Sequence, residues 1–446
     1  MLIRFVVSNF LSFDKETEFN MLAGTFKTHK HHVYNAGKVN VLKAAAIYGA
    51  NGAGKSNLIK AIDFLQEVVK VGFIKQSVNG HKFKLNRANI DKPIVFEIEF
   101  SIKKKIYSYG IIIDHISILE EWLYESGINV EDKLIFERKN TKSGKISIKV
   151  ADRYYKTQKQ KYLVELMEEN LLKGNELFLS KSDSIKINEI SNCRNWIKDD
   201  LIIIFPGSKF QYLVAMIATS EGFNNLTNDL LKTFDTGVNE LGIESTNFEK
   251  FFGEEDDETK QDIIENINKE EYILFESKLG MVLITKEKSK YIVKKVVAQH
   301  KNNFGERVSF DLINESDGTQ RLLDFIPAFD MILRHDITFI IDEIDQSLHP
   351  VLLRSLVHKI MIDEGTKGQL LFSTHESNLL DMAIFRQDEI WFAEKDKSLG
   401  GTQLYSLSEF KPRYDLDIRK GYLKGRFGAI PFLADLDDLN WHDYES

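Results

Sequence analysis

The chain has 446 residues, 43% hydrophobic and 28% charged, enough for two or three domains or for one domain with a large insertion. A net charge of −8 excludes a general polycation, so any nucleic-acid contact has to use a local basic face. The single cysteine, Cys193, excludes an internal disulfide and a cysteine zinc cluster and suits a reducing, cytoplasmic setting.

Leu2–Val7 and Glu16–Met21 read as strands, and the opening "MLIRFVVSNFLSF" lacks the apolar core and cleavage site of a signal peptide. No run of about 18 apolar residues occurs, so no membrane span is expected. Val41–Tyr48 is a short apolar run ending at "GANGAGKS" (Gly49–Ser56), and a helix is expected over Ser56–Val71. Pro93–Phe100, Lys105–Asp114 and Asp132–Arg138 are rich in Val, Ile, Phe and Tyr and predict an antiparallel sheet. Across 151–289 Lys, Glu and Asn rise and helical spacing dominates, as in Tyr162–Leu172. Gly253–Asp262 is the densest acidic run and reads as a solvated loop or helix start. Strand character returns at Tyr291–Ala298. A helix (Thr319–Arg334), a strand (Ile337–Ile341), a helix after Pro350 and a strand (Gln369–Ser373) follow, an alternation that predicts a parallel sheet.

Gly49–Ser56 fits G-x-x-x-x-G-K-[ST], and the strand before it and helix after it are the context a phosphate-binding loop requires. Gly49, Gly52 and Gly54 let backbone N–H groups approach phosphate oxygens, and the helix turns its positive end to the anion. Lys55 would reach the β- and γ-phosphates of ATP, and Ser56 would ligate Mg²⁺. Asn51 and Asn57 complete the expected nucleotide-binding set. The loop needs a metal-holding acid on a neighbouring strand, and "ITFIIDEIDQSLHP" supplies Asp342 at a strand end, where open α/β sheets bind ligands. Glu343 beside it can polarise an attacking water. Lys55 and Asp342 are 287 positions apart, so a large insertion separates them. "NESDGTQR" (Asn314–Arg321) places Ser316 and Gly318 where a turn opens a helix one helix upstream of the acid strand. "LLFSTHES" leads a strand into His375, the place for a γ-phosphate contact.

On these motifs the chain resembles ABC-type ATPases of the SMC/RecF/OLD-like group. "FVVSNFLSF" (Phe5–Phe13) is similar to the group's opening strand and turn, and "DEIDQSLHP" (Asp342–Pro350) to its acid pair and following loop. "ESDGTQRLLDFIP" (Glu315–Pro327) and "RKGYLKGRFGAIP" (Arg419–Pro431) resemble a bacterial family of stand-alone AAA-annotated ATPases. That family includes the AriA subunit of PARIS and the AbiL-type abortive-infection ATPase of anti-phage systems. The resemblance covers roughly 1–150 and 290–446.

The resemblance implies an α/β fold. A P-loop ABC-type ATPase head, with a mixed sheet flanked by helices and an antiparallel β lobe, would hold residues 1–150 and 290–446, and a mostly helical insertion would hold 151–289. It implies a head-to-tail homodimer or higher homo-oligomer with ATP and Mg²⁺ between copies. Lys55, Ser56, Asp342, Glu343 and His375 of one copy would face Ser316 and Gly318 of the other. It also implies a cytoplasmic switch that controls a separately encoded effector, such as a TOPRIM-type nuclease, in answer to a phage protein. The alternative is a RecF-like clamp on duplex DNA. The signature turn carries Asp317 where many ABC proteins have a second glycine, and Gln66, Gln76 and Gln299 compete for the metal-loop glutamine.

Two weaker signals stand apart. "THKHH" (Thr28–His32) has three histidines in four positions, so metal binding is one reading, but no paired carboxylate or helical spacing supports it and a polar loop is the preferred one. Arg419, Lys420, Lys424 and Arg426 make the tail locally basic, a coating of the surface or a contact for nucleic acid or an acidic partner.

Overall fold

A computed structural model describes residues 1–127, 131–141, 144–210, 212–253, 257–268, 271–413 and 416–430. Residues 254–256 of the acidic run and Pro431 of the tail motif lie outside them. The chain forms two compact units. The first comprises Met1–Phe205, His335–Ile344 and the described residues from His358 onward; the second comprises Pro206–Arg334 and Asp345–Val357.

The first unit contains the glycine-loop sheet. Its strand order is Leu201–Ile204, Thr338–Ile341, Gln369–Ser373, Ala44–Tyr48, Ile390–Lys395 and Thr402–Ser406. The first five run parallel and the last pairs antiparallel. Parallel strands are covered on both faces and tolerate little polarity. Ala44–Tyr48, Thr338–Ile341 and Gln369–Ser373 are accordingly buried along their whole length. The strand Gln369–Ser373 lies between the one that ends at the glycine loop and the one that ends at Asp342.

The helix after the loop, Lys55–Val71, buries Leu58, Ile59, Ile62, Leu65 and Val69 on one stripe. Gly72, at φ 88°, ends it by donating its N–H to the Val68 carbonyl. A second sheet of seven antiparallel strands carries the predicted Ile94–Ile102, Lys105–Asp114 and Lys133–Asn140 together with the N-terminal Leu2–Ser8 and Thr17–Asn20.

The division of the chain falls away from positions 151 and 289. Residues 151–205 belong to the first unit because their apolar side chains complete its core. Leu177, Phe178 and Leu179 are fully buried, and the N–H groups of Phe178 and Leu179 donate to the buried Glu121 carboxylate at 2.7 and 2.9 Å. Leu201–Ile204 then pairs with Thr338–Ile341. The rise in Lys, Glu and Asn marks surface, not membership of a unit.

The second unit combines helices, among them Glu221–Thr233 and Asp317–Arg334, with an antiparallel sheet centred on Lys290–Lys301. That strand pairs with Glu240–Asn247, Gly280–Glu287 and Arg307–Asp311, which ties residues on both sides of 289 into one sheet. No helix among the described residues is long and apolar enough to cross a membrane.

The C-terminal segment packs as a compact turn on the first unit. Phe427 is buried against Phe392, with ring centroids 5.9 Å apart, and its carbonyl accepts from the Tyr405 hydroxyl at 2.9 Å. Arg419, Lys420, Lys424 and Arg426 stay exposed.

Candidate functional site

The glycine loop sits where Ala44–Tyr48 ends, at the carboxyl edge of the parallel strands. Gly54 caps the helix at φ 109°, and a Cβ there would strike the side chains of Thr402 and Ser12. Asn51 and Gly52 form the exposed tip of the loop. The first N–H groups of the helix have no carbonyl partner within it, which suits the loop to an anion. The Lys55 ammonium turns back over the loop, donating to the carbonyls of Gly49 at 2.8 Å and Ala50 at 3.3 Å, and lies 3.5 Å from Nδ1 of His375.

The acid strand meets this loop across the intervening strand. Asp342 is buried, with 3% of its surface exposed, and its Oδ1 accepts from the Ser56 hydroxyl at 3.1 Å and the Ser373 hydroxyl at 2.5 Å. Ser373 in turn accepts from the Glu343 backbone N–H at 2.8 Å. Glu343 itself has φ 51°, a left-handed conformation costing a non-glycine residue about 1–2 kcal/mol. The bonds from Glu343 N–H to Ser373 and from Ile344 N–H to the Ser373 carbonyl hold that conformation. His375, two residues past the strand end, is exposed beside Lys55.

A buttress that no motif announces lies behind the loop. Asn57 donates its side-chain N–H to the Ser12 hydroxyl at 2.8 Å. The Thr402 hydroxyl lies 2.7 Å from Ser12 Oγ and 2.8 Å from the Ala53 carbonyl. The carbonyl can only accept, so Thr402 donates to it and Ser12 donates to Thr402. Ser12 reaches this place because Asn9 turns the chain at φ 56° and is itself locked by donating to the carbonyls of Asn89 and Lys92, both at 2.9 Å. The "SNFLSF" turn thus has a mechanical relation to the glycine loop. Ser12 was legible as part of that turn. Ser373 carries no signal beyond ending an apolar strand, and Thr402 none.

Within the first unit, then, the structure brings together Gly49, Gly54, Lys55, Ser56, Asp342, Glu343 and His375, with Asn51 and Gly52 at the tip and Asn57 behind. Ser316 and Gly318 belong to the second unit. There Ser316, exposed, caps the helix Asp317–Arg334: its Oγ accepts from the Thr319 N–H at 3.2 Å and lies 2.9 Å from the Thr319 hydroxyl. Asp317 at the first turn is exposed, and Gly318 approaches the Ser347 carbonyl so closely that a Cβ would stand 3.0 Å from it. Of the candidate glutamines, Gln66 is buried and donates to the Ile197 carbonyl at 2.8 Å, which makes it a brace of the first unit's core; Gln76 is exposed, and Gln299 lies on a strand of the second unit.

A family model described as "AAA domain, putative AbiEii toxin, Type IV TA system" matches residues 44–381. No curated protein matches the chain. Among solved structures, the SMC head domain from Thermotoga maritima is 12% identical, with 91% of this chain and 98% of that chain covered and a TM-score of 0.39. An Smc head bound to the C-winged helix domain of ScpA is 13% identical, with 92% and 99% covered and a TM-score of 0.46. An Smc head with an extended coiled coil bound to the C-terminal domain of ScpA, derived from Pyrococcus furiosus, is 13% identical, with 92% and 97% covered and a TM-score of 0.39. The family match spans the glycine loop, the acid strand and the histidine strand, about three quarters of the sequence, and the chain therefore belongs to this family of AAA domains.

Proposed function

We propose that the chain is an ATP-binding and ATP-hydrolysing switch whose complete site forms between two copies. The observation that carries this reading is the meeting of Lys55, Ser56, Asp342, Glu343 and His375 at one strand edge. The residues fit Mg²⁺-ATP: the loop leaves room for backbone N–H groups to approach phosphate, and the Ser56 and Asp342 oxygens form the hard donor pair that Mg²⁺ prefers. Ser56 and Asp342 would hold Mg²⁺, whose charge would offset that of the phosphates. Lys55 exchanges the Gly49 and Ala50 carbonyls for phosphate oxygens. Glu343 orients water and takes its proton, and His375 contacts the γ-phosphate. Ser316 and Gly318 of the second copy present a helix N-terminus to the same phosphate.

The family description, with its toxin and toxin–antitoxin wording, supports placing this switch in abortive-infection defence. In this reading the cytoplasmic homodimer, or a larger homo-oligomer, restrains a separately encoded toxic effector, such as a TOPRIM-type nuclease. A phage protein releases that effector. The test is a mixing experiment. Lys55→Ala and Ser316→Arg chains are each inactive alone, and mixing them rebuilds one working interface per heterodimer, recovering up to about half of the wild-type turnover per interface. Mixtures that stay inactive, or a Ser316→Arg chain that hydrolyses ATP normally, remove the shared-site model. DNA binding measured at two salt concentrations distinguishes the RecF-like alternative, which requires an affinity that falls steeply with salt.

A further inference from the structure

The histidines of "THKHH" acquire in the fold the carboxylate that the sequence around them lacks. His29, His31 and His32 each offer one ring nitrogen, and these atoms lie within 4.8 Å of one another. The rings of His29 and His32 stack with centroids 4.8 Å apart, and His31 meets His32 edge-on at 4.4 Å. Nδ1 of His32 lies 2.9 Å from Oε2 of Glu389, a fully buried residue 357 positions away. Nε2 of His29 lies 2.8 Å from the Met382 carbonyl.

A carbonyl can only accept, so His29 donates to Met382 from Nε2, and Nδ1 is its other ring nitrogen. The Glu389 side chain, which also accepts from the Arg386 backbone N–H at 2.7 Å, engages Nδ1 of His32 and leaves Nε2 as the ring's other nitrogen. Nε2 of His32 and Nε2 of His31 are both buried without a hydrogen-bond partner, and His32 is 1% exposed. The Met361 carbonyl lies near enough to the His32 ring to act as a weak hydrogen-bond acceptor. Buried polar atoms ordinarily find partners, so the bare Nε2 of His31 beside two further imidazoles calls for a ligand.

We propose that His29, His31 and His32 bind one divalent transition-metal ion, zinc by ligand chemistry, with Glu389 as the positioning residue that orients His32. Neutral imidazoles suit zinc and its neighbours and not Mg²⁺, and a carboxylate behind a ligating histidine is the usual outer support of such sites. At a tetrahedral zinc with bonds of about 2.1 Å two nitrogens stand about 3.4 Å apart, so side-chain rotations that bring the nitrogens, now within 4.8 Å, about 1.4 Å nearer close the cluster. A fourth ligand, ordinarily water, would complete the tetrahedron. The nearby cations are already engaged: Arg386 pairs with both oxygens of Asp388 at 2.9 and 2.8 Å, and Lys43 donates to the carbonyls of Met361 and Asp363. The ion would fix the segment before Val33–Asn35, which the His32–Glu389 contact ties to the stretch that leads into Ile390–Lys395, a neighbour of the glycine-loop strand.

The test uses the full chain without a histidine tag and without nucleotide, stripped by chelator and dialysed against micromolar Zn²⁺, Co²⁺ or Mg²⁺. The expected result is one Zn²⁺ per chain, a Co²⁺ visible spectrum of low-coordinate nitrogen ligation, no competition by Mg²⁺, and a thermal midpoint raised by several degrees with Zn²⁺. His29→Gln and His31→Gln, both at half-exposed positions, lower zinc affinity at least tenfold while circular dichroism and ATP binding stay unchanged. Glu389→Gln weakens zinc about 10- to 100-fold without changing the number bound. A stripped chain that takes up no Zn²⁺ on dialysis, or a double His29→Gln/His31→Gln chain that binds it as tightly as wild type, overturns the proposal.

Discussion

The Ser56 hydroxyl stands 3.1 Å from Oδ1 of Asp342, although 286 positions of sequence lie between them. Asp342 stays buried because Ser56 and Ser373 both donate to the same oxygen, leaving its carboxylate directed at the loop. Asp342→Asn keeps the size and an oxygen acceptor for the two donors but removes the negative charge that would hold Mg²⁺. We expect Mg²⁺-dependent ATP hydrolysis to fall about 100-fold, or ~2.7 kcal/mol in the barrier, with melting temperature nearly unchanged. Turnover measured against Mg²⁺ concentration checks this: more Mg²⁺ rescues Ser56→Ala in part and Asp342→Asn hardly at all.

Glu343 combines a carboxylate with a backbone at φ 51°, and two substitutions separate the two. Glu343→Gln keeps the strained backbone and loses the base, so ATP still binds while hydrolysis falls about 10²- to 10³-fold. Glu343→Gly loses the base and relieves the left-handed strain, gaining stability of about 1 kcal/mol, less the entropy glycine loses on folding. Single-turnover hydrolysis and urea unfolding of the pair decide it. Unchanged hydrolysis in Glu343→Gln removes Glu343 from the base role.

Motifs that carry their own chemistry were legible; contacts closed by the fold were not. The glycine loop, the acid pair and His375 each follow an apolar run, and strand ends are where parallel sheets gather ligands, so their meeting could be anticipated. Ser373 and Thr402 act through single hydroxyls at strand positions, which composition cannot distinguish from ordinary strand residues. The limits of the units were hidden for another reason. Residues 151–205 carry a polar composition yet bury Phe178, Ile190 and Trp196, and burial follows spacing more than average content. Glu389 became a partner of His32 only because Ile390–Lys395 pairs with Ala44–Tyr48.

Thr402 holds the loop through a single hydroxyl that bridges Ser12 and Ala53. Thr402→Val keeps the shape and leaves the Ala53 carbonyl without that donor. An unmade buried bond of this kind costs about 1–3 kcal/mol. Part of that cost falls on loop order, so ATP affinity drops about tenfold. Fluorescent-nucleotide titration measures it, and Thr402→Ser, which restores the hydroxyl, recovers most of the affinity. Equal affinities for all three chains would show the buttress to be irrelevant to binding.

Gly110 pairs across the antiparallel sheet with Trp122, and a Cβ at 110 would run into the indole ring. Gly110→Ala therefore forces the ring off its rotamer or the strands apart, at about 1–3 kcal/mol. Urea unfolding of the variant should show a lower midpoint with an unchanged slope. Gly110→Ala combined with Trp122→Leu recovers stability relative to the sum of the single changes, a non-additivity expected of residues in contact.

Asp324 reports on the second unit through pH. It is 6% exposed on the helix Asp317–Arg334, accepts from the Phe210 N–H at 3.1 Å and lies 3.5 Å from the Lys209 ammonium. Burial raises its carboxyl above the usual aspartate value, against the lowering effects of Phe210, Lys209 and Arg321. A raised acid means that the folded chain holds this proton more firmly than the unfolded chain. The associated stability is therefore present below the unfolded value of 3.8 and is lost as pH rises through the folded one. Asp324→Asn keeps an acceptor for Phe210 and removes the titration. Unfolding free energies of both chains between pH 4 and 7 give the check: wild type minus variant should decline as pH rises. A difference that instead grows with pH would mean that Lys209 outweighs burial and that this carboxylate is stabilised in its charged form.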